Sequence, residues 1–286
     1  MFPEVRGYYL AQHLARLGLS AEFRPLPVSI ECKVLICSEY QQTMDWFDRH
    51  LAGPFSGIRA DRMFCLADHS LFGRPNHFSN WYCDWFRQRG GVLVHRPNPQ
   101  FLKGEHWIGL GVDPNVVRPA ADRIRNQVLF DFPVNKRRDT ADAFDVRFLE
   151  HLRKEFSGLR FLGTGSPDAR IRERFDEWIA YGLDHQSYVN RAFSRSLAVI
   201  PGCVESMGLA MAEAQVAGAC IISAPHGPPD DMLVPEASIM CSHDTRSLVG
   251  ALTEARKRDA EMIRESAIKK FNFGAVAARA RAAIGL

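Results

Sequence analysis

The segment PGCVESMGLAMAEAQVAGACIIS, Pro201 to Ser223, carries two glutamates, Glu205 and Glu213, around a small-residue turn and an apolar helix. Leu209, Ala210, Met211, Ala212, Ala214, Val216 and Ala217 surround Glu213, so a helix starting near Met207 is apolar on most sides and mostly buried. A carboxylate in that setting costs several kcal/mol unless something pairs with it. Glu205 sits just before the helix, with Ser206 as the N-cap candidate and Gly208 leaving the first turn open to close approach by a ligand. Free amides from Met207 to Leu209, together with the positive end of the helix dipole, favour an anion, and phosphate is the usual one. Two carboxylates that accept from hydroxyls, flanking amides that bind phosphate, describe a site for a sugar nucleotide. The structural alternative is that Glu205 merely complements the helix dipole and Glu213 pairs with an arginine.

A glutamate pair separated by seven residues, with Gly208-Leu209 between them and Ala217-Gly218 leading into a β run from Ala219 to Ile222, resembles the donor-site signature of the retaining GT-B glycosyltransferases, and of family 4 in particular. GVDPNVVRPA, Gly111 to Ala120, resembles the segment with which that family closes its first domain. FLGTGSPD, Phe161 to Asp168, is similar to its Gly-x-Gly-Pro strand end with one residue inserted. SAPHGPPDDMLVPEASIMCSHDTRSLVGAL resembles the stretch after the donor helix, with Gly227 in the glycine turn and Asp244 opening the next helix. The resemblance runs from Gly111 to the C-terminus, in order and in spacing. It implies an α/β fold of the GT-B type, two Rossmann-like doubly wound parallel-sheet domains facing a cleft. It also implies a nucleotide-diphosphate sugar as co-substrate, with no cofactor and no metal.

Roles follow from the same resemblance, residue by residue. Glu205 contacts the donor sugar hydroxyls, the amides of Met207, Gly208 and Leu209 beside Ser206 receive the phosphates, and Glu213 accepts from the ribose hydroxyls. The family's phosphate clamp is an arginine and a lysine after the first strand of the donor domain; here the stretch reads VLFDFPVNKRRD, Lys136 matches the lysine, and Pro133 stands at the arginine position. Arg137 or Arg138 could supply the second charge, since guanidinium forks give a diphosphate two bonds each. The alternative is a solvated basic turn. Gly7 matches the family's first-domain loop glycine by position, but the second glycine of the usual pair is missing, Pro3 makes Met1 to Arg6 a poor central strand, and Gly7 reads equally as an ordinary turn. His69 follows a strand and is a candidate acceptor-side histidine, and His95 is placed as plausibly. Asp230-Asp231, in a Gly-Pro-Pro context, reads as a turn or cap pair rather than a metal site.

The elements that must position these groups alternate between strand and helix, which argues for parallel sheets. Helices are expected at Tyr8 to Leu17, Asn80 to Gln88, Asp142 to Glu155, Ala169 to Ala180, from Met207, at Thr245 to Lys257 and at Phe273 to Ile284. Strands are expected at Lys33 to Cys37, Met63 to Ala67, Gly91 to His95, Trp107 to Leu110, Val128 to Phe130, Leu159 to Leu162, Leu197 to Ile200 and Cys220 to Ser223. At roughly 150 residues per domain the chain of 286 residues suggests two, with 46% hydrophobic residues enough for two cores. Prolines punctuate the region after the first sheet. The expected division is an acceptor-side domain at 1–124, a donor domain at 125–272 and a last helix at 273–286 folding back on the first domain.

A net charge of +3 gives no reason to expect a nucleic-acid partner. The seven cysteines include no Cys-x-x-Cys pair and mostly lie in apolar runs, so they read as reduced, buried groups of a cytoplasmic protein. No run approaches the ~20 apolar residues of a membrane span, and Met1 leads into a stretch without the apolar core of a signal peptide, so membrane contact is at most peripheral. The expected activity is retaining, metal-independent transfer of a sugar from a nucleotide-diphosphate donor to an acceptor. The competing expectations are a catalytically silent GT-B module that binds nucleotide sugars or serves as a scaffold, and another GT-B enzyme such as a nucleotide-sugar epimerase.

Overall fold

In the computed structural model the described residues are 3–24, 29–38, 57–67, 84–94, 105–132, 147–165, 169–179, 183–201, 209–223, 232–242 and 244–286. The chain forms two compact units, Met1–Gly111 with Asn272–Leu286, and Val112–Phe271.

In the first unit, helix α1 (Pro3–Arg16) precedes strands β1 (Ser29–Ser38), β2 (Gly57–Ala67), β3 (Gly90–Val94) and β4 (Glu105–Trp107), which pair in that order in one parallel sheet. Side chains alternate across it. Cys65, Val92 and Val94 pack with Ile58 and Phe86 on one face, while Phe64, Leu66 and Leu93 pack on the other with Leu10 and Leu14 of α1 and Phe273, Val276, Ala277 and Ala280 of the last helix. β1 and β2 run longer than the apolar runs Lys33 to Cys37 and Met63 to Ala67 suggest, because backbone pairing continues from Ser29↔Gly57 to Ser38↔Leu66 through positions with exposed charges such as Glu31 and Arg59. α1 starts at Pro3, where the missing N–H is no loss at a first helical position. Gly7 therefore lies inside a helix and not in a strand-to-helix loop or a turn, which corrects the placement read from sequence.

The second unit contains β5 (Gln127–Asp131), α2 (Arg147–Glu155), β6 (Arg160–Thr164), α3 (Ala169–Arg172), β7 (Glu177–Ile179), α4 (His185–Ala192), β8 (Ser196–Pro201), α5 (Leu209–Val216), β9 (Cys220–Ser223), β10 (Ser238–Met240), α6 (Thr245–Lys257) and α7 (Ala260–Lys270). Its six parallel strands run β7-β6-β5-β8-β9-β10 across the sheet. Numbered within the unit that is 3-2-1-4-5-6, the doubly wound dinucleotide-fold order. β5 and β8 are buried almost throughout, as parallel strands covered on both faces must be. The last helix, α8 (Phe273–Ile284), belongs to the first unit, where Arg279 donates to the Ile108 carbonyl at 2.7 Å.

The units divide at Gly111 and Val112, before the region near residue 124 indicated by the sequence. Hydrogen bonds explain the position. Val112 N donates to Phe271 O at 2.9 Å, and the half-buried Arg264 guanidinium of α7 donates to Pro114 O, Val117 O and the α5 carbonyl of Val216, so residues 112–117 are tied to the second unit. Burial pushes the Arg264 guanidinium below its usual range.

Two further expectations are corrected. Ala169 to Ala180 is not one helix: α3 stops at Arg172 and the chain turns into edge strand β7, because Asp176 accepts from Phe161 N at 2.7 Å and returns its own N–H to Phe161 O at 2.9 Å. α4, α7 and β10 occupy stretches for which no element was expected.

Candidate functional site

The doubly wound order reverses between β5 and β8, and ligands of open parallel sheets bind outside the carboxyl ends of the strands at such a switch point. Phe130 pairs with Ile200 and Asp131 with Pro201, so the two strands end side by side, about 4.8 Å apart. Lys136, Arg137 and Arg138 lie in the segment that follows β5, and Glu205, Ser206, Met207 and Gly208 in the one that follows β8. Both segments lie outside the described residues, as do His69, His95, Pro133, Gly227, Asp230 and Asp231. What is described is that the two segments depart from adjacent strand ends. Beside them, β6 ends at Thr164 and is followed by Gly165, whose φ of +106° and approach to the Phe132 backbone leave no room for a side chain. That is a physical reason for the second glycine of FLGTG.

Of the segment Pro201 to Ser223, Leu209 and Glu213 are among the described residues, on α5. This helix is buried nearly all round, with Met211, Ala212, Ala214 and Val216 inaccessible to solvent. Its C-terminus is closed by Gly218 at φ +90°: Ala219 N reaches Ala214 O and Gly218 N reaches Gln215 O, both at 2.9 Å. The two buried polar side chains of α5 are both answered. Gln215 donates to Met211 O and Met232 O and accepts from Val234 N at 2.7 Å. Glu213 is 5% exposed, and its Oε1 lies 2.6 Å from His185 Nε2. The partner is thus a histidine and not the arginine that the structural alternative invoked.

His185 is the first residue of α4, and Asp184 caps that helix, accepting from Ser187 N at 2.9 Å and from Ser187 Oγ at 2.5 Å. These bonds, the hydroxyl's first and then the amide's, hold the Asp184 carboxyl below the ordinary range. α4 enters after β7 and α5 after β8, so both helices begin at the carboxyl ends of the strands. Cα–Cβ bonds tilt toward a helix's N-terminus, which aims the Glu213 carboxylate toward the end where residues 202–208 arrive, about 6 Å along the axis from Leu209. Sequence reasoning missed His185; the available signal was the Asp184-x-x-Ser187 cap, which predicts the helix start but not the contact.

Asp244 caps α6, accepting from Ser247 N at 2.9 Å, and its carboxyl is held at about 2 by the Ser242 hydroxyl and then the Ser247 amide. A groove of about 530 Å³ in the second unit lies elsewhere: it runs along α4 past Asn115, Arg118, Gln186 and Asn190 to Ser194 and Arg195, at the end where β8 begins. None of the sequence-predicted site residues lines it. Cys37, Cys65, Cys220 and Cys241 are buried, and burial pushes the Cys37 thiol up to about 12 and the Cys220 thiol up to about 11. Among the described residues no helix is long and apolar enough to cross a membrane.

The architecture is shared with solved structures at low sequence identity. TarM superposes with a TM-score of 0.60 at 13% identity over 88% of this chain and 55% of TarM, so this chain spans about half of TarM's length. A glycosyltransferase from Rickettsia africae ESF-5 gives 0.57 at 12% identity, over 97% of this chain and 79% of that one. The sucrose-phosphate synthase of Thermosynechococcus elongatus gives 0.58 at 15% identity, over 86% and 71%. No protein-family model and no curated protein matches the sequence. The likeness establishes an α/β fold of the GT-B type, with two Rossmann-like units.

Proposed function

We propose that the protein is a retaining glycosyltransferase, similar to family 4, that moves a sugar from a nucleotide-diphosphate donor to an acceptor hydroxyl without a divalent metal. The observation that carries this reading is the switch point. The segment with Lys136 and the segment with Glu205 leave from paired strand ends, and the buried Glu213 carboxylate, bonded to the first residue of α4, stands on the helix that follows the second of them. In the reaction, the bond between the anomeric carbon and the diphosphate oxygen breaks and the electron pair leaves with the diphosphate. The acceptor oxygen then bonds to the same face of the sugar while its hydroxyl proton passes to the departing diphosphate oxygen. In this reading Lys136, with Arg137, neutralises the leaving diphosphate, the amides of Met207, Gly208 and Leu209 beside Ser206 hold its oxygens, and Glu205 takes the sugar hydroxyls. Glu213 accepts from the ribose, and His69 stands on the acceptor side. The GT-B neighbours support a glycosyltransferase in general by fold.

A second reading, a nucleotide-sugar-binding module without turnover, is favoured by two observations: Gly7 is helical, and Pro133 stands where the family has its arginine. Titration calorimetry with uridine, guanosine and adenosine diphosphates in the presence of EDTA tests the common part. One of them is expected to bind in the micromolar range; binding that disappears on chelation removes metal independence from the proposal.

A further inference from the structure

The Glu213 carboxylate and the His185 imidazole form a nearly dry pair, their side chains 7% and 12% exposed. An ionised carboxylate only accepts, so Nε2 of His185 carries the hydrogen in this 2.6 Å bond. Leucine or methionine at 213 would give α5 an apolar surface with no charge to desolvate, and buried ion pairs are often replaceable by apolar residues without loss of stability. A carboxylate with its own imidazole is therefore what a hydroxyl-binding site requires and a core does not.

The helix that carries the imidazole is anchored at both ends. Asp184 fixes the start of α4 through Ser187. At the other end Arg191 forks onto Glu177 Oε1 at 2.9 and 2.6 Å, Arg160 donates to Glu177 Oε2 at 2.8 Å, and Gln127 donates to the Arg191 carbonyl at 2.9 Å. Burial alone would raise the Glu177 carboxyl, but the bonds from Arg191 and Arg160 outweigh it and hold it below the ordinary range. Val189 and Ala192 are fully buried between those ends. A glutamate's last torsion is broad and roughly two-fold, so a carboxylate with one oxygen fixed by an immobile donor presents the other in one direction only. Glu213 has no second hydrogen-bond partner among the described residues.

We propose that His185 is a positioning and specificity residue: by holding Oε1 of Glu213 it reserves Oε2 for a ribose hydroxyl and thereby sets the preference for ribonucleotide over deoxyribonucleotide donors. This rests on the reading of Glu213 as the ribose acceptor. In a dry site, loss of one hydroxyl leaves Oε2 without its bond, a penalty that hydrogen-bonding sites turn into discrimination.

The test is calorimetry on the whole protein. Uridine, guanosine and adenosine diphosphates identify the tightest ligand, and its 2′-deoxy and 3′-deoxy counterparts are then compared on the wild type, His185→Ala, His185→Gln and Glu213→Gln, with circular dichroism reporting the fold. The wild type is expected to prefer the ribonucleotide at least tenfold over one deoxy form. His185→Ala should reduce that ratio at least fivefold while changing the affinity for that deoxy form less than twofold. His185→Gln, whose amide nitrogen reaches where Nε2 stands, should restore the ratio, and in the Glu213→Gln background His185→Ala should leave it unchanged. Where His185→Ala yields no folded protein, the shorter His185→Asn replaces it with the same expectation. An unchanged ratio in folded His185→Ala, or in the His185→Asn that replaces it, overturns the proposal while the donor-site reading stands, and so does an equal loss of affinity for both forms. Wild-type protein that binds none of the three diphosphates overturns the donor-site reading and this proposal together.

Discussion

Glu213 is the position where a wholly apolar helix would fold at least as well and a charge stands instead. Desolvating a carboxylate costs several kcal/mol, and the His185 hydrogen bond, with the positive end of α4 nearby, offsets that cost. Replacement by alanine removes the charge together with the need for a partner. Glu213→Ala is therefore expected to weaken nucleoside diphosphate binding tenfold or more, the ~1.4 kcal/mol of one charge-assisted bond to a hydroxyl, with a melting temperature within a few degrees of wild type. Affinity and melting temperature have to be measured on the same preparation. A large drop in melting temperature with unchanged affinity in the folded fraction would make the pair structural. The carboxylate's need for a partner can be argued from the residues around it; the partner's identity cannot, because His185 lies 28 positions away on an element that only tertiary packing brings near.

At the scale of elements, α5 is placed by how it stops as much as by how it starts. Gly218 holds φ +90°, and a Cβ there would meet the Ala260 carbonyl oxygen of α7 at 2.9 Å. Gly218→Ala is expected to destabilise the protein by about 2 kcal/mol, from a left-handed backbone and a contact with rigid backbone, read as a lower denaturant midpoint at unchanged slope. A midpoint within error of wild type would mean that the turn relaxes freely. The same elements show what a single sequence exposes. β3, β5, β6, β8 and β9 could be read because buried parallel strands are short continuous apolar runs bounded by turn residues. β7 could not, because Ile171, Phe175, Trp178 and Ile179 fall at helical spacing and only the Asp176–Phe161 bonds divert the chain into the sheet. α7 escaped because only Ile263 and Ala267 of its residues are buried, too narrow a stripe to register as a period. Gly7 was assigned by position in a motif while the helix around it is set by Leu10 and Leu14 packing on the sheet. The segment Pro201 to Ser223 stands out in the sequence because its glutamates are chemically conspicuous, whatever element carries them.

At the scale of the whole molecule the question is turnover, since a GT-B fold serves binding as well as transfer. A transferase cleft activates the anomeric carbon whether the attacking oxygen belongs to an acceptor or to water, so slow donor hydrolysis is expected even without the true acceptor. Lys136 and Glu205, in the segments that leave the paired ends of β5 and β8, are the residues proposed to act on the donor rather than on the fold. Lys136→Ala should leave the departing diphosphate with one cation fewer, and Glu205→Ala should release the sugar from its orientation. Each is expected to slow hydrolysis tenfold or more, the rate consequence of losing ~1.4 kcal/mol of transition-state stabilisation. The measurement is nucleoside diphosphate release, followed by chromatography, across a panel of UDP, GDP and ADP sugars with EDTA present. Pro133 offers the proposed clamp no second charge, so Arg137→Ala in the same assay tells whether a guanidinium beside Lys136 supplies it: a tenfold loss assigns it that role. If a donor binds in the micromolar range and none is turned over, the protein is a nucleotide-sugar-binding module. Turnover indifferent to both Lys136→Ala and Glu205→Ala would move the chemistry away from the β5 and β8 ends altogether.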